Sequence, residues 1–190
     1  MGSFPSLARR ASREWGTAAA ERALPFPCDA LAREADAVLF RGVSVNASTA
    51  TVYRWLCQLR VAPYSYDWID NWGRRSPQHL STGLEQLSRG QELMGIFTLV
   101  DFETDRHVTL RIRQGSAAER AFGDVRGTYL VVAEGQGCRL LVKLLAQYPP
   151  GLVGMAARRL LPWGDLVMMR RQLLNLKRLA ERQPPLSGEE

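Results

Sequence analysis

Histidine and cysteine are scarce. Two histidines and three cysteines among 190 residues provide no His/Cys/carboxylate cluster at metal-ligating spacing, so no metal is expected. Cys28, Cys57 and Cys138 form an odd, scattered set, which argues against a disulfide framework and for reduced thiols in a cytoplasmic protein. Long apolar runs are missing too. Nothing approaches the roughly 18 unbroken apolar residues of a membrane span, so no transmembrane segment is expected. No glycine pattern sits between a strand and a helix to cradle phosphate, no Gly-x-Ser-x-Gly elbow occurs, and Cys57 has no histidine near it in the chain. Phosphate-loop and nucleophilic-elbow chemistries are thereby set aside, and no cofactor is expected.

What is present is an ordinary globular balance: 46% apolar and 23% charged residues, with a formal charge of +6 carried almost wholly by arginine. Such a length fits one domain with a substantial core. The positive balance reads as a solvated surface, and nucleic acid is not expected as a partner. Arg9-Arg10 is not followed by an apolar stretch, so an export signal is not expected, and the Met1-Gly2…Ser6 pattern is too short to argue lipidation. Residues 1–34 are expected to form an arm or peripheral helix ended by Pro25 and Pro27, residues 35–183 the domain, and residues 184–190 a disordered tail.

Within the domain, Ala37 to Ala47 reads as a first strand with a candidate bulge at Gly42. Ser48 is placed to cap a helix carrying Val52, Tyr53, Leu56 and Leu59, which Pro63 ends. An aromatic segment follows, with Tyr64, Tyr66, Trp68 and Trp72 interleaved with Asp67 and Asp70, and then a loop through Arg74 and Arg75. Strands are expected over 95–103, 107–113, 124–134 and 138–147, with a short one near 88–93. The compact Gly135-Gln136-Gly137 turn makes the last two a hairpin. In His107 to Arg113, Val108, Leu110 and Ile112 share one face, and His107, Thr109, Arg111 and Arg113 share a polar one assigned to solvent. The tail is helical from Leu152, interrupted at Pro162-Trp163-Gly164, and restarted by Asp165 as a cap. Leu166, Met169, Leu173, Leu176 and Ala180 form its apolar stripe.

Strand, helix, short helix, antiparallel strands and a long closing helix is an order that resembles the START-like superfamily, also called SRPBCC or polyketide cyclase/dehydrase-like. The stretch VNASTATVYRWLCQLRVAPYSYDWIDN, residues 45–71, resembles the opening of its bacterial cyclase-like branch, and DLVMMRRQLLNLKRLAE, residues 165–181, resembles the closing helix. The resemblance covers roughly residues 35–181. It implies an α+β helix-grip fold: a curved antiparallel sheet wrapped around a long C-terminal helix, with two short helices after the first strand. It also implies a cavity between helix and sheet. Met155, Trp163, Met168, Met169 and Leu173 are its candidate helix-side lining, with Tyr64, Tyr66 and Trp68 at the mouth.

The resemblance names no catalytic residue. Asp67, Asp101, His79 and His107 are candidate acids or bases, with Tyr64 and Tyr66 as donors. Asp101 interrupts an apolar run, so burial there would raise its pKa, although a turn position near the strand end is the simpler reading. His107 and His79 read as surface residues. Arg74 and Arg75 could hold a carboxylate or phosphate at a pocket mouth, or one of them could pair with Asp67 or Asp70 and pin the loop. The leading reading is binding of a small hydrophobic or amphipathic ligand, lipid- or polyketide-like. The alternatives are a cyclase/dehydratase-type enzyme using the same cavity, or a partner-binding protein with a filled core. Oligomeric state is left open, a homo-oligomer included.

Overall fold

The computed structural model describes residues 10–31, 34–70 and 73–183. Expectations placed on Arg9, on Trp72 and on the 184–190 tail lie outside the described residues.

Seven strands form one sheet: β1 (Glu14–Trp15), β2 (Ala37–Val45), β3 (Glu92–Leu93), β4 (Phe97–Glu103), β5 (His107–Ile112), β6 (Asp124–Glu134) and β7 (Gly137–Gln147). Their order is β1-β2-β7-β6-β5-β4-β3, antiparallel except for the short β1–β2 pair. Glu134 pairs with Gly137, so the β6–β7 hairpin turns on Gly135 and Gln136 alone. The turn requires a left-handed residue, and Gly135 supplies it at φ 58°.

The helices are α1 (Ala19–Arg22), α2 (Thr49–Cys57), α3 (Asp67–Asp70), α4 (Ala117–Phe122) and α5 (Gly151–Glu181). The second and fifth close the concave side, whereas α1 is held on the other face by the Glu21–Arg139 ion pair. Ser48 caps α2 as its sequence context predicts, its hydroxyl accepting from the Thr51 amide at 3.2 Å. The main core lies between the sheet and the helices, with Leu39, Leu99, Leu110, Tyr129 and Leu140 facing Trp55, Leu56, Leu173 and Leu176.

Residues 10–31 are not a loose arm. The turn of 3-10 helix Pro27–Leu31 lies over the convex face, where Phe26 and Cys28 pack with Leu130, Leu141 and Leu145. The Cys28 amide donates to the Thr128 hydroxyl at 3.0 Å, which in turn shares a 2.9 Å hydrogen bond with Thr109. This cover lies over part of the polar face of β5, where Thr109 is buried and so is His107, while Arg111 is half-buried and Arg113 exposed. Gly42 is not a bulge either, because the β2–β7 register runs through it without a shift. Its missing side chain lets the N-terminal segment approach. A Cβ there would lie 2.8 Å from Thr17 Cγ2 and 2.9 Å from the Gly16 carbonyl.

The break predicted at Pro162 does not occur, for α5 is continuous from Gly151 to Glu181. Proline denies the Arg158 carbonyl its helical donor and weakens the turn. Arg41, fully buried on the concave side of β2, reinforces that turn from below. Its guanidinium donates to the Pro162 carbonyl at 3.4 Å, to the Asp165 carboxylate at 2.7 Å, and to the Ser12 and Arg13 carbonyls at 2.8 Å each. Asp165 is therefore the anchor of α5 to the sheet and not a helix cap.

Burial raises the Asp165 carboxyl to about 6, and the Arg41 charge only partly draws it back. A carboxyl held above its ordinary 3.8 in the folded state contributes most below that value, and its contribution is lost as pH rises towards about 6. Asp165→Asn should accordingly flatten a fall in stability between about pH 4 and pH 6, read by urea unfolding across that range. Arg41→Leu, which strands the carboxylate, should cost about 3 kcal/mol at neutral pH and less in acid. In Arg41→Leu/Asp165→Leu most of that loss should return, since an apolar pair of similar volume needs no desolvation.

Candidate functional site

Between the sheet and α5 lies a cavity of about 400 Å³. Its walls come from Leu39 on β2, Leu110 and Ile112 on β5, Val125 on β6, Leu144 and Ala146 on β7, and Met168 and Met169 on α5. Phe122 at the end of α4 and Leu161 and Gly164 on α5 stand at its open side, where Phe122 and Gly164 are exposed. An aliphatic and thioether lining of this size accommodates a small apolar molecule of variable shape.

Polar groups converge at one part of the wall. The Tyr129 hydroxyl, deep in the sheet, donates to Gln172 Oε1 at 2.6 Å and contacts Met169 Sδ at 3.7 Å. The Gln172 amide donates in turn to the Pro63 carbonyl at 2.6 Å. Asp165 borders the same space, and the part of its carboxyl side chain not covered by protein faces the cavity. Tyr148 completes the group. Its hydroxyl is buried and has no hydrogen-bond partner, and burial, foremost, pushes its pKa up. A buried hydroxyl with no partner costs about 1–3 kcal/mol unless something supplies one.

The positions expected from the sequence are distributed unevenly over this site. Met168 and Met169 line the cavity, whereas Leu173 is wholly buried in the closed core beside it. Trp163 and Met155 turn away. They are 46% and 59% exposed and lie in an outer groove with Ser12, Arg13 and Asp36. Continuity of the helix through Pro162 is the reason, because it carries Trp163 to the side opposite Asp165.

Tyr64 is buried edge-on against Trp55, with ring centroids 5.8 Å apart, and is core and not mouth. Tyr66 and Trp68 border a separate shallow pocket of about 310 Å³ with Asp67, Arg171 and Arg178. Arg74 and Arg75 are exposed in the loop beyond. The loop is pinned by Ser76, whose amide and hydroxyl donate to Asp67 at 2.9 and 2.5 Å.

Asp101 and the histidines are likewise away from the cavity. Asp101 sits at a register shift in β4 and accepts from Arg89 at 2.6 Å. Partial burial pushes its carboxyl up, but hydrogen bonds from Arg89 and His107 outweigh that and hold it below its ordinary value. His107 is buried beside it at 3.2 Å, and His79 is exposed.

Two signals in the chain point to what was missed. Asp165, Met169, Gln172 and Leu176 share one helix face, so two polar residues interrupt an otherwise apolar inward stripe. Ser116-Ala117-Ala118-Glu119 carries a helix-start pattern: the Glu119 amide donates to Ser116 Oγ at 3.1 Å, the Glu119 carboxylate accepts from the Gly115 amide at 2.6 Å, and the helix that delivers Phe122 begins there.

Among the described residues no group of acids, histidines and cysteines could hold a metal, and no helix is long and apolar enough to cross a membrane. No family model matches the chain, and no curated protein matches it. Solved structures do. A hypothetical protein of Helicobacter pylori aligns over 83% of this chain and 96% of its own, at 16% identity and TM-score 0.54. The chain has the helix-grip fold. The di-domain ARO/CYC StfQ from the steffimycin biosynthetic pathway aligns with 76% of the chain, over 50% of its own, at 14% identity and TM-score 0.48. Ara h 8.0201 does so with 76% of the chain, over 94% of its own, at 8% identity and TM-score 0.42. Likeness at this level concerns fold and leaves function to the geometry of the cavity.

The two cavity tyrosines should respond differently to loss of their hydroxyls. Tyr129→Phe strands Gln172 and should lower stability by about 1–2 kcal/mol. Tyr148→Phe removes a hydroxyl that has no partner and should leave the melting temperature of the empty protein unchanged or higher. Paired thermal melts decide it, and a lower melting temperature for Tyr148→Phe would contradict the assignment.

Proposed function

We propose that this protein binds a small apolar or amphipathic molecule in the cavity between the sheet and α5, with a hydrogen-bonding group of the ligand at Tyr148. The observation that carries the reading is an aliphatic chamber of about 400 Å³ whose lining includes Tyr148, a residue with a buried, unpartnered hydroxyl. A hydroxyl or carbonyl on the ligand would complete Tyr148, while the rest of the molecule displaces water from Leu110, Ile112, Leu144 and Met168. Each apolar group so buried contributes roughly 25 cal/mol per Å². Lipid-like and polyketide-like molecules both meet this description.

A second reading, proton transfer on the bound molecule, is favoured by Asp165 alone. Its carboxyl, raised to about 6, borders the cavity that Tyr129 and Tyr148 also line, and a base poised near neutrality is what such catalysis needs. Its bond to Arg41 holds it in place and competes for the same lone pairs.

The test fills the chamber without touching its polar end. Ala146, on β7, lines the cavity and is small. Ala146→Phe should reduce the affinity for the neutral fluorescent probe N-phenyl-1-naphthylamine by about tenfold or more while the fold survives, and Tyr148→Phe should weaken a probe carrying a hydroxyl more than one without. Undiminished probe binding by a folded Ala146→Phe protein would place the ligand elsewhere.

A further inference from the structure

The outward side of α5 is apolar as well as the inward one. Leu152, Leu160, Trp163, Val167 and Leu174 are exposed, Leu152 by 79%. At 100° per residue they fall within an arc of about 80°, one continuous stripe along the helix. A helix that buried only its inner face would carry polar residues here.

The exposed charges that α5 itself carries beside the stripe are positive, and Asp36, in the groove with Leu152 and Trp163, is held by Arg158 at 3.0 Å. α5 has six cations, Arg158, Arg159, Arg170, Arg171, Lys177 and Arg178, against two acids. Both acids are engaged, Asp165 by Arg41 and Glu181 by Lys177. Arg170 and Arg178 lie on the arc itself and Arg159 and Arg171 just beyond its two edges, all four exposed. Trp68, 75% exposed, stands next to Arg171 and Arg178 in the shallow pocket they share. Large apolar side chains with tryptophan among them, rimmed by arginine and lacking free carboxylates, are the composition of a helix that lies in the headgroup region of a bilayer.

We infer that the outer face of α5 is a docking surface for an anionic lipid bilayer, with Leu152, Leu160, Trp163 and Val167 entering the headgroup boundary and the arginines holding lipid phosphates. Charge selects this occupant over a second copy of the chain. A symmetric pairing of two such stripes would bring arginine against arginine with no acid of α5 left to neutralise it.

The consequence for the cavity rests on the binding reading above, although docking itself does not. Leu161, Gly164 and Met168, at the open side of the cavity, lie on the flank of the helix next to the stripe. A docked protein would therefore hold its cavity mouth beside the membrane, where an apolar molecule could enter without crossing water.

Flotation with vesicles tests the surface directly. Wild-type protein should float with phosphatidylcholine vesicles containing phosphatidylglycerol, not with phosphatidylcholine alone, and the bound fraction should fall as salt is raised. Leu160→Asp/Trp163→Asp, at exposed positions, should bind at least about tenfold less with an unchanged melting temperature. Should that variant melt early, Arg159→Glu/Arg170→Glu should show the same loss. Wild-type protein left behind by anionic vesicles, or variants that float as well as wild type, would overturn the inference. So would a wild-type dimer that the aspartates split, for the stripe would then be covered by a second copy. Loss of flotation in these variants with naphthylamine-probe binding retained separates this surface from the cavity; loss of probe binding in Ala146→Phe with flotation retained does the converse.

Discussion

Arg41 and Asp165 form the contact on which the architecture turns. The concave side of the sheet would ordinarily be closed by apolar side chains alone, yet here a guanidinium rises from the middle of β2 with no exposure to solvent. Such a charge is expensive to bury and is tolerated only where partners surround it. Asp165, the Pro162 carbonyl and two carbonyls of the N-terminal segment accept from its two terminal amino groups, while its Nε has no partner. One side chain thereby joins three parts of the molecule: the sheet, the turn of α5 weakened by proline, and the segment that wraps onto β2.

The cavity follows from that anchoring. Fixing α5 at Asp165 sets the height of the helix above the sheet, and the side chains below it, Met169 and Gln172, reach Tyr129 without filling the space towards Ala146 and Tyr148. Below the C-terminal half of α5, by contrast, Leu173, Leu176 and Ala180 close fully on the core. The same helix thus seals one end of the fold and roofs a chamber at the other. Its Asp165 carboxyl is both structural anchor and cavity wall, and burial at that junction is what raises its pKa.

Periodicity made much of this legible. The alternation in β5, the glycine turn of the last hairpin and the Ser48 cap each reflect local physics, and each is found where the chain predicts it. Met169 sits on the inward stripe for the same reason, whereas Met155, also expected in the lining, faces the outer groove. What the chain hid depends on contacts between distant residues. Nothing local to Arg41 marks its role, and Asp165 after Pro-Trp-Gly reads as a cap; only their pairing across 124 positions reveals either role. Tyr148 next to Pro149-Pro150 reads as a strand end, and nothing local marks its hydroxyl as buried. Trp163 was misplaced because the helix runs on through proline, which local propensity argues against.

The central claim is that apolar ligands enter the chamber beneath α5. Methionine distribution allows it to be tested residue by residue, since Met94, Met168 and Met169 line the cavity while Met155 lies in the outer groove. In protein carrying carbon-13 methionine methyl groups, titration with n-decanol should shift the Met94, Met168 and Met169 resonances together and leave Met155 in place. A shift confined to Met155, or no shift at saturating decanol, would contradict the account.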